Sequence, residues 1–278
     1  MRKIKIAADS SCDLFSLQHT DFAYAPLKII SAEKEFVDDP ALDVSAMAEY
    51  FAAYKGKSHS SCPNAADWLA AFGDADDIFC VTITSGLSGS CNAARTAKSI
   101  YESEHEGRRV FVLDTLSAGP EITLVIQKLE EYVAAGMVYE EICDAVTAYL
   151  QKTGLVFMLK SLKTLANNGR VSPIVAKLVG IAGICIIGKA SAEGTLEPMH
   201  KCRGERHALE TLANSIWEEG FRSGKISIGH CQNEQAAGQL RDLILAKCPD
   251  ARIEIHHLRG LCSFYAEKGG VLVGFEKA

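Results

Sequence analysis

A cluster of small residues follows a run of strand-forming residues in the segment IFCVTITSGLSGS, at positions 78 to 90. The cluster includes Ser85, Gly86, Ser88 and Gly89, and the helical pattern NAARTAKSIYE follows it. A junction of this kind can hold a nucleophilic serine, as in the G-x-S-x-G turn of hydrolases. It can also bind an anion through hydroxyls and the N–H groups at the start of a helix. The segment therefore indicates nucleophilic catalysis, anion binding or a plain loop.

The hydrolase interpretation of GLSGS fails at one position, because Ser90 stands where the motif requires glycine. It also needs an acid and a histidine farther along the chain, and neither His207, His230 nor the pair His256 and His257 lies in a recognisable context. Anion binding requires less, namely a strand end, small residues and a helix N-terminus. The pattern therefore favours anion binding and leaves a serine-dependent acyl hydrolase or transferase as the alternative.

Several polar residues near predicted strand ends are candidates for capping as well as for ligand binding. Ser88 is predicted to be the N-cap of the helix that follows, a role that does not exclude ligand contact. Asp9 and Asp114 each come directly after a predicted strand, at the end where open α/β sheets bind ligands. For both residues, ligand contact and capping of the next turn remain equally open, whereas Asp13 is predicted to cap.

Two further segments carry polar side chains at predicted turns. In KSHSSCPNAADW, Ser60 and Ser61 precede Pro63 and a helical pattern, which predicts another helix N-terminus. Arg170 lies in the glycine-containing turn of LANNGRVSP, and an arginine in that context, taken alone, is typical of a solvated surface.

The segment GICIIGKAS has the spacing of a phosphate-binding loop, with Gly183, Gly188 and Lys189 matching G-x-x-x-x-G-K. However, Ala190 replaces the hydroxyl that binds magnesium, and the residues between the glycines are isoleucine and cysteine. Such residues are typical of a buried strand, so nucleotide binding is not predicted here.

Short apolar runs alternate with amphipathic stretches, which predicts a parallel sheet covered by helices. Strands are predicted at 4–8, 78–83, 110–113, 155–159, 184–187, 195–200, 226–229 and 253–258, and helices in the second half near 205–219 and 233–247. We predict one domain over residues 1–155 and a second over 156–278, with the ligand site in the cleft between them.

Composition argues against several classes of protein. The formal charge is −6 and both signs are spread along the 278 residues, so a nucleic-acid partner is not predicted. The longest apolar run, Leu178 to Ile187, is shorter than the roughly 18 residues of a membrane span. The N-terminus MRKIKIAADSS lacks the pattern of a signal peptide, and the cysteines form no C-x-x-C pair. These features predict a cytoplasmic protein with reduced thiols.

Taken in order, these segments resemble the motifs of the DegV family of bacterial lipid-binding proteins. AADSSCDL is similar to the D-S-x-x-D-L motif of that family, SSCPNAADW to T-S-Q-P-S-x-x-x-F, and TSGLSGS to S-S-x-L-S-G-T. LDTLSAG is similar to I-D-S-x-S-A-S, and LKTLANNGRVS to L-x-x-L-x-x-G-G-R-I-S. Each motif is weak alone, but their order and spacing match over nearly the whole chain.

The resemblance implies a two-domain DegV-like α/β fold, with an N-terminal three-layer α/β/α domain, a mainly parallel sheet and a C-terminal α/β domain. It implies a long-chain fatty acid bound between the domains by a carrier that is not an enzyme, without a metal or other cofactor. It further implies a partner, a separate ATP-binding fatty acid kinase subunit that converts the bound acid into acyl phosphate. A transient contact with a membrane surface is compatible with this role.

The same resemblance implies which residues contact the ligand. Ser88 would contact the carboxylate, Ser60 stands where the family has a threonine, and Arg170 would lie near the carboxylate and the phosphoryl group. The full set of implied contacts is Ser60, Ser61, Ser85, Gly86, Ser88, Gly89, Asp114, Arg170 and Tyr265.

Two positions depart from the family pattern. Cys62 replaces the glutamine of T-S-Q-P-S and removes some polarity beside the head-group site. Aligning backward from VLVGFE places Tyr265 where the family has a histidine that contacts the carboxylate. A phenol can donate the same hydrogen bond, but it is not normally cationic or a proton shuttle near pH 7. Fatty-acid binding therefore tolerates this change more easily than coupling to a kinase does.

Overall fold

The computed structural model describes residues 2–171 and 183–278. Its strands are β1 Ile4–Asp9, β2 Asp21–Ala25, β3 Lys28–Ser31, β4 Glu35–Val37, β5 Ser58–Ser61, β6 Asp77–Thr82, β7 Arg109–Asp114, β8 Thr153–Leu159, β9 Ile184–Ala190, β10 Leu196–Arg203, β11 Lys225–His230, β12 Arg252–His257 and β13 Val271–Glu276. Its helices are α1 Val44–Ala53, α2 Ala65–Phe72, α3 Ser90–Glu104, α4 Pro120–Ala134, α5 Tyr139–Leu150, α6 Lys163–Asn167, α7 Glu205–Glu218, α8 Glu234–Lys247 and α9 Gly260–Ala266. The apolar run that begins at Leu178 lies outside the described residues as far as position 182.

The first large sheet is parallel, with strand order β2-β1-β6-β7. Helices α2 and α3 cover one face, where Trp68 and Tyr101 pack against the apolar side chains of the strands. Helices α4 and α5 cover the other face, where Ile122 and Val146 pack against Phe79 of β6. The predicted three-layer α/β/α arrangement is confirmed.

The second large sheet is six-stranded, in the order β10-β9-β8-β13-β11-β12. Its neighbouring strands are antiparallel except for β11 and β12. Helices α7 and α8 cover one face, where Val156 and Met158 of β8 join the core. Because successive side chains of a strand point to opposite faces, Leu155, Phe157 and Leu159 join a separate apolar cluster on the other face.

Helix α4 lies between the two large sheets. Its residue Ile122 packs with the first sheet, and its N-terminus lies so close to β13 that a Cβ at Gly274 would be 2.5 Å from backbone atoms of Pro120 and Glu121. The predicted boundary at residue 155 falls inside β8, which pairs with β13 over Thr153–Met158. The division into 1–155 and 156–278 therefore stays a prediction.

A third sheet, small and antiparallel with the order β4-β3-β5, has no counterpart among the strands predicted from hydrophobic pattern. Ile29 of β3, Met47 of α1 and Phe264 of α9 form a buried cluster beneath it. The small sheet therefore packs against α9, and this contact brings Ser60 of β5 close to a helix that lies about 200 residues farther along the chain.

The strand predictions of the second half hold, with small differences at the ends. The segment with phosphate-loop spacing is strand β9, in which Cys185, Ile186 and Ile187 are buried, as predicted. Gly183 precedes it with a φ of +74°. The described cysteines are free thiols.

Candidate functional site

An apolar pocket lies between the two large sheets. It encloses about 710 Å³ of empty space, including the part open to solvent. Its walls are mostly aliphatic or aromatic, so the pocket suits an apolar ligand. The lining residues are Leu27, Ser60, Ile83, Leu87, Ser88, Ala118, Leu155, Phe157, Leu159, Leu165, Arg170, Leu196, Leu261, Cys262, Tyr265, Ala266 and Leu272.

The polar side chains of the pocket are gathered at its mouth. Ser60, Ser88 and Arg170 line the pocket and also an adjoining shallow cavity at the surface. That cavity is lined by Ile30, His59, Ser60, Ser61, Cys62, Ser88, Gly89 and Arg170. The structure therefore brings the predicted site residues Ser60, Ser61, Ser88, Gly89 and Arg170 together around one opening.

The hydroxyl groups of Ser60 and Tyr265 lie 2.7 Å apart and form a hydrogen bond across the mouth. Either oxygen can be the donor. One hydroxyl donates its hydrogen to the other, so one O–H of the pair remains that can be donated to a ligand. Tyr265, which was placed near the head-group site by alignment alone, is thus in direct contact with another predicted site residue.

Two buried carboxyl groups hold the start of helix α9, which carries the tyrosine. Asp38 accepts hydrogen bonds from the N–H groups of Gly260 at 2.8 Å and Leu261 at 2.9 Å. Asp13 accepts one from the N–H of Arg259 at 2.7 Å. Burial raises the pKa of Asp38 to about 6 and the pKa of Asp13 to about 8. Asp38 is therefore ionised at neutral pH, and its charge-assisted bonds fix the helix at the pocket wall.

Ser88 lies just before helix α3, which begins at Ser90 with Gly89 as its N-cap. The predicted N-cap at Ser88 is wrong by one residue, because the Ser88 N–H donates to the carbonyl of Thr84 and so belongs to the preceding turn. The Ser88 Oγ accepts a hydrogen bond from the Ser90 N–H at 3.3 Å. That bond uses a lone pair, so the hydroxyl hydrogen can be donated into the pocket.

Three other predicted contact residues, Ser85, Gly86 and Asp114, line neither the pocket nor its mouth. The Asp114 Oδ1 accepts a hydrogen bond from the Ser85 N–H at 3.1 Å, which caps the loop after β6. A Cβ at Gly86 would lie 2.9 Å from two carbonyl oxygens of the turn between β9 and β10. These residues shape the loop that carries Ser88, and direct ligand contact by them stays a prediction.

Asp9, for which the sequence left ligand contact and capping equally open, is engaged by the protein itself. It is buried and accepts hydrogen bonds from the Ile83 N–H at 2.9 Å and the Ser90 Oγ at 2.7 Å. It also caps the short 3-10 turn by accepting from the Ser11 N–H. The structure therefore favours the capping role. The prediction that Asp13 caps its own next turn is wrong, because its carboxyl group accepts a hydrogen bond from the distant Arg259 N–H.

Arg170 follows helix α6 and faces both the pocket and its mouth. Its guanidinium donates a hydrogen bond to the carbonyl oxygen of Asn168, and the residue is half-buried. Arg170 is therefore only partly exposed and lines the mouth, whereas its residue type taken alone indicates a fully solvated surface position. A cation at this opening raises the affinity of the mouth for an anionic group.

The serine nucleophile hypothesis finds no support at Ser88. Within residues 2–171 and 183–278, the Ser88 Oγ is hydrogen-bonded to the Ser90 N–H, and no histidine is hydrogen-bonded to this oxygen. His230 and His257 lie at the ends of β11 and β12 in the second large sheet, with ring centroids 4.3 Å apart. His59 lines the mouth together with Ser88, but within the described part of the chain it is not hydrogen-bonded to the serine hydroxyl.

The hydroxyl groups and the guanidinium of the mouth can donate hydrogen bonds to an anion. In the described ranges, no three metal-binding side chains come together. None of the helices described has the length and apolar character to cross a bilayer.

The fold and the site define an α/β protein with two large sheets and, between them, an apolar pocket with a polar mouth. The family model described as "Uncharacterised protein, DegV family" matches residues 3–278. The chain therefore belongs to the DegV family, as its motifs indicate.

Similar proteins support this assignment over the whole chain. A DegV domain-containing protein of Streptococcus pneumoniae strain R6 is 42% identical over 276 residues, which cover 98% of each protein. The structure of a DegV family protein from Eubacterium eligens loaded with heptadecanoic acid has a TM-score of 0.96 and 40% identity, and covers 99% of this chain and 100% of that one. The structure of the S. pneumoniae Fatty Acid Kinase (Fak) B3 protein loaded with linoleic acid has a TM-score of 0.97 and 41% identity, with the same coverage.

Proposed function

We propose that this protein binds one long-chain fatty acid in the pocket between its two large sheets. The observation that carries the proposal is the division of the pocket into an apolar interior and a mouth with the hydroxyls of Ser60, Ser88 and Tyr265. The similar structures from E. eligens and S. pneumoniae, which are loaded with heptadecanoic and linoleic acid, support this choice of ligand.

The acyl chain supplies most of the binding free energy. The wall of the pocket around the acyl chain is formed by Leu155, Phe157 and Leu159 of β8 together with leucines of other strands, such as Leu196 and Leu272. Each buried methylene contributes about 0.8 kcal/mol, so a chain of about 16 carbons contributes on the order of 10 kcal/mol before ordering costs. The tail therefore sets the affinity, and the head group sets the orientation.

The carboxylate lies at the mouth, where it accepts hydrogen bonds from hydroxyl groups. The pair of Ser60 and Tyr265 provides one hydrogen and Ser88 provides another, while Arg170 contributes a positive charge. Directed donors and a nearby cation stabilise a carboxylate without a metal or other cofactor. The protein thus acts as a carrier of the acid.

The protein, we further infer, presents the carboxylate to a separate ATP-binding kinase subunit that forms the acyl phosphate. Ser61 and Cys62 at the mouth are exposed, so the carboxylate end is the part of the ligand that a partner can reach. The similarity to the Fak B3 protein supports this role. Exchange with an ATP-dependent partner places the carrier in the cytoplasm.

Ser60→Ala and Tyr265→Phe are each expected to weaken oleate binding by about 1 kcal/mol, or roughly 5-fold, because the hydroxyl that remains loses the partner that orients it toward the carboxylate. The double variant should lose more than the sum of the two single losses, since only it removes both hydroxyls that can supply this hydrogen. Calorimetric titration of the four proteins with oleate measures these effects.

Tyr149→Phe is the matched control, because the Tyr149 hydroxyl donates to the Glu276 carboxylate at 2.9 Å outside the pocket. This variant should lower the thermal stability and leave the Kd for oleate unchanged. If both mouth variants bind oleate like the wild type, the carboxylate lies elsewhere and the proposed site is wrong.

A further inference from the structure

The turn between strands β9 and β10 rests on the loop that follows β6, on the first-sheet side of the pocket. The contact centres on Thr84, whose side chain is 1% exposed. Its Oγ1 donates a hydrogen bond to the carbonyl of Gly194 at 2.8 Å and accepts one from the Gly86 N–H at 3.0 Å. A single hydroxyl therefore connects the turn of the second sheet with the loop of the first.

The two backbones approach each other as closely as glycine permits. A Cβ at Gly86 would lie 2.9 Å from the carbonyl oxygens of Glu193 and Gly194. A Cβ at Gly194, which has a φ of +72°, would overlap the Thr84 Oγ1. We call this contact the clasp; it comprises Thr84, Gly86 and the turn at positions 191 to 195.

The clasp lies directly behind the pocket wall. The carbonyl of Thr84 accepts hydrogen bonds from the N–H groups of Leu87 at 3.3 Å and Ser88 at 3.2 Å, and both of these residues line the pocket. On the other side, Leu196 follows the turn immediately and also lines the pocket. Opening the clasp would therefore move a hydroxyl of the mouth and an apolar wall residue apart.

Thr84, we propose, is a positioning residue that closes the clasp, orients Ser88 and retains the acyl chain between the two sheets. This inference rests on the proposed fatty-acid binding, but Thr84 and the turn at positions 191 to 195 do not line the pocket or its mouth. A valine at this position keeps the shape of the side chain and removes its hydroxyl. The Gly86 N–H and the Gly194 carbonyl would both lose a buried partner, which favours the open clasp.

The test compares Thr84→Val with a matched control, Thr115→Val. Thr115 is 3% exposed and its Oγ1 also donates to a backbone carbonyl, that of Thr82 at 2.8 Å, and accepts from an N–H two residues on. Its bonds stay within the first half of the chain. Thr84→Val should raise the dissociation rate of a fluorescent fatty acid about tenfold, and Thr115→Val should change it less than twofold. Thr84→Ser, which keeps the hydroxyl, should restore the wild-type rate.

Gly86→Ala tests the same contact without touching the threonine. The added methyl group meets the two carbonyl oxygens of the turn, so it should also raise the dissociation rate about tenfold. Hydrogen exchange of the ligand-free protein should be faster at Gly194 and Thr195 in Thr84→Val and Gly86→Ala than in the control.

Equal dissociation rates in Thr84→Val, Thr115→Val and wild type would overturn the clasp while leaving fatty-acid binding intact. A wild type that binds no fatty acid would overturn the proposed function, and the exchange rates would still report on the clasp.

Discussion

Ala118→Phe is expected to weaken the binding of palmitate or oleate about 100-fold. Ala118 is one of the smallest residues of the pocket lining, and it lies in the loop between β7 and α4. A benzyl group there occupies the space of about four methylenes, which corresponds to roughly 3 kcal/mol of lost burial and hence to about two decades in Kd. Calorimetric titration of the purified variant measures the loss.

Ala52→Phe is the control for this change, since Ala52 is an exposed residue of helix α1. It should bind both acids like the wild type. Circular dichroism and thermal unfolding show whether Ala118→Phe remains folded. Only a folded variant allows the change in Kd to be attributed to the filled pocket. A folded Ala118→Phe protein with wild-type affinity would show that the acyl chain does not occupy this pocket.

Arg170→Ala is expected to keep most of the fatty-acid affinity and to lose at least about 100-fold of acyl-phosphate formation with the cognate kinase subunit. The tail supplies most of the binding free energy, so the carboxylate remains at the mouth without the cation. In the proposed reaction, the phosphoryl group that reaches the mouth would carry more negative charge than the carboxylate, and a positioned arginine would stabilise that charge during transfer. A reconstituted assay with ATP and oleate measures the turnover.

Arg206→Ala is the matched variant, because the Arg206 side chain is 94% exposed on helix α7 and does not line the pocket. It should leave both binding and turnover unchanged. Wild-type turnover in Arg170→Ala would contradict a role of this arginine in phosphoryl transfer. Arg170 would then only line the mouth of the pocket.

Three strands of the first large sheet, β1, β6 and β7, could be predicted from sequence because helices cover both faces of that sheet, whereas its edge strand β2 was not predicted. β6 is buried along its whole length, and such strands appear as continuous apolar runs between turns. The strands of the small sheet could not be found in this way. β5 has the sequence SHSS and contains no apolar residue, so no hydrophobic pattern marks the strand that carries Ser60.

The mouth could be predicted only in part. Motif resemblance placed Ser60, Ser88, Arg170 and Tyr265 in the head-group region, and the structure brings these side chains together. The hydrogen bond between Ser60 and Tyr265 joins residues 205 positions apart, and spacing along the chain carries no information about such a contact. It arises because the small sheet packs on helix α9.

The apolar interior of the pocket had no signal of its own in the sequence. Leu27, Leu165 and Leu196 come from separate elements, and each resembles any other core leucine until the two sheets face each other. The role of Thr84 could not be predicted from the sequence for a similar reason. Its partner Gly194 is 110 residues away in a turn of the other sheet, so its role follows from tertiary structure alone.

The central claim is that the pocket holds one intact fatty acid, and the most direct test is native mass spectrometry of the protein purified in mild buffer. The account predicts a complex of one chain with one fatty acid, and chloroform extraction should release an unmodified long-chain acid of about 16 carbons or more. A protein that carries no lipid and binds none on titration would contradict the account. Turnover of an acyl ester that Ser88→Ala abolishes would contradict it as well, and would establish the serine hydrolase alternative.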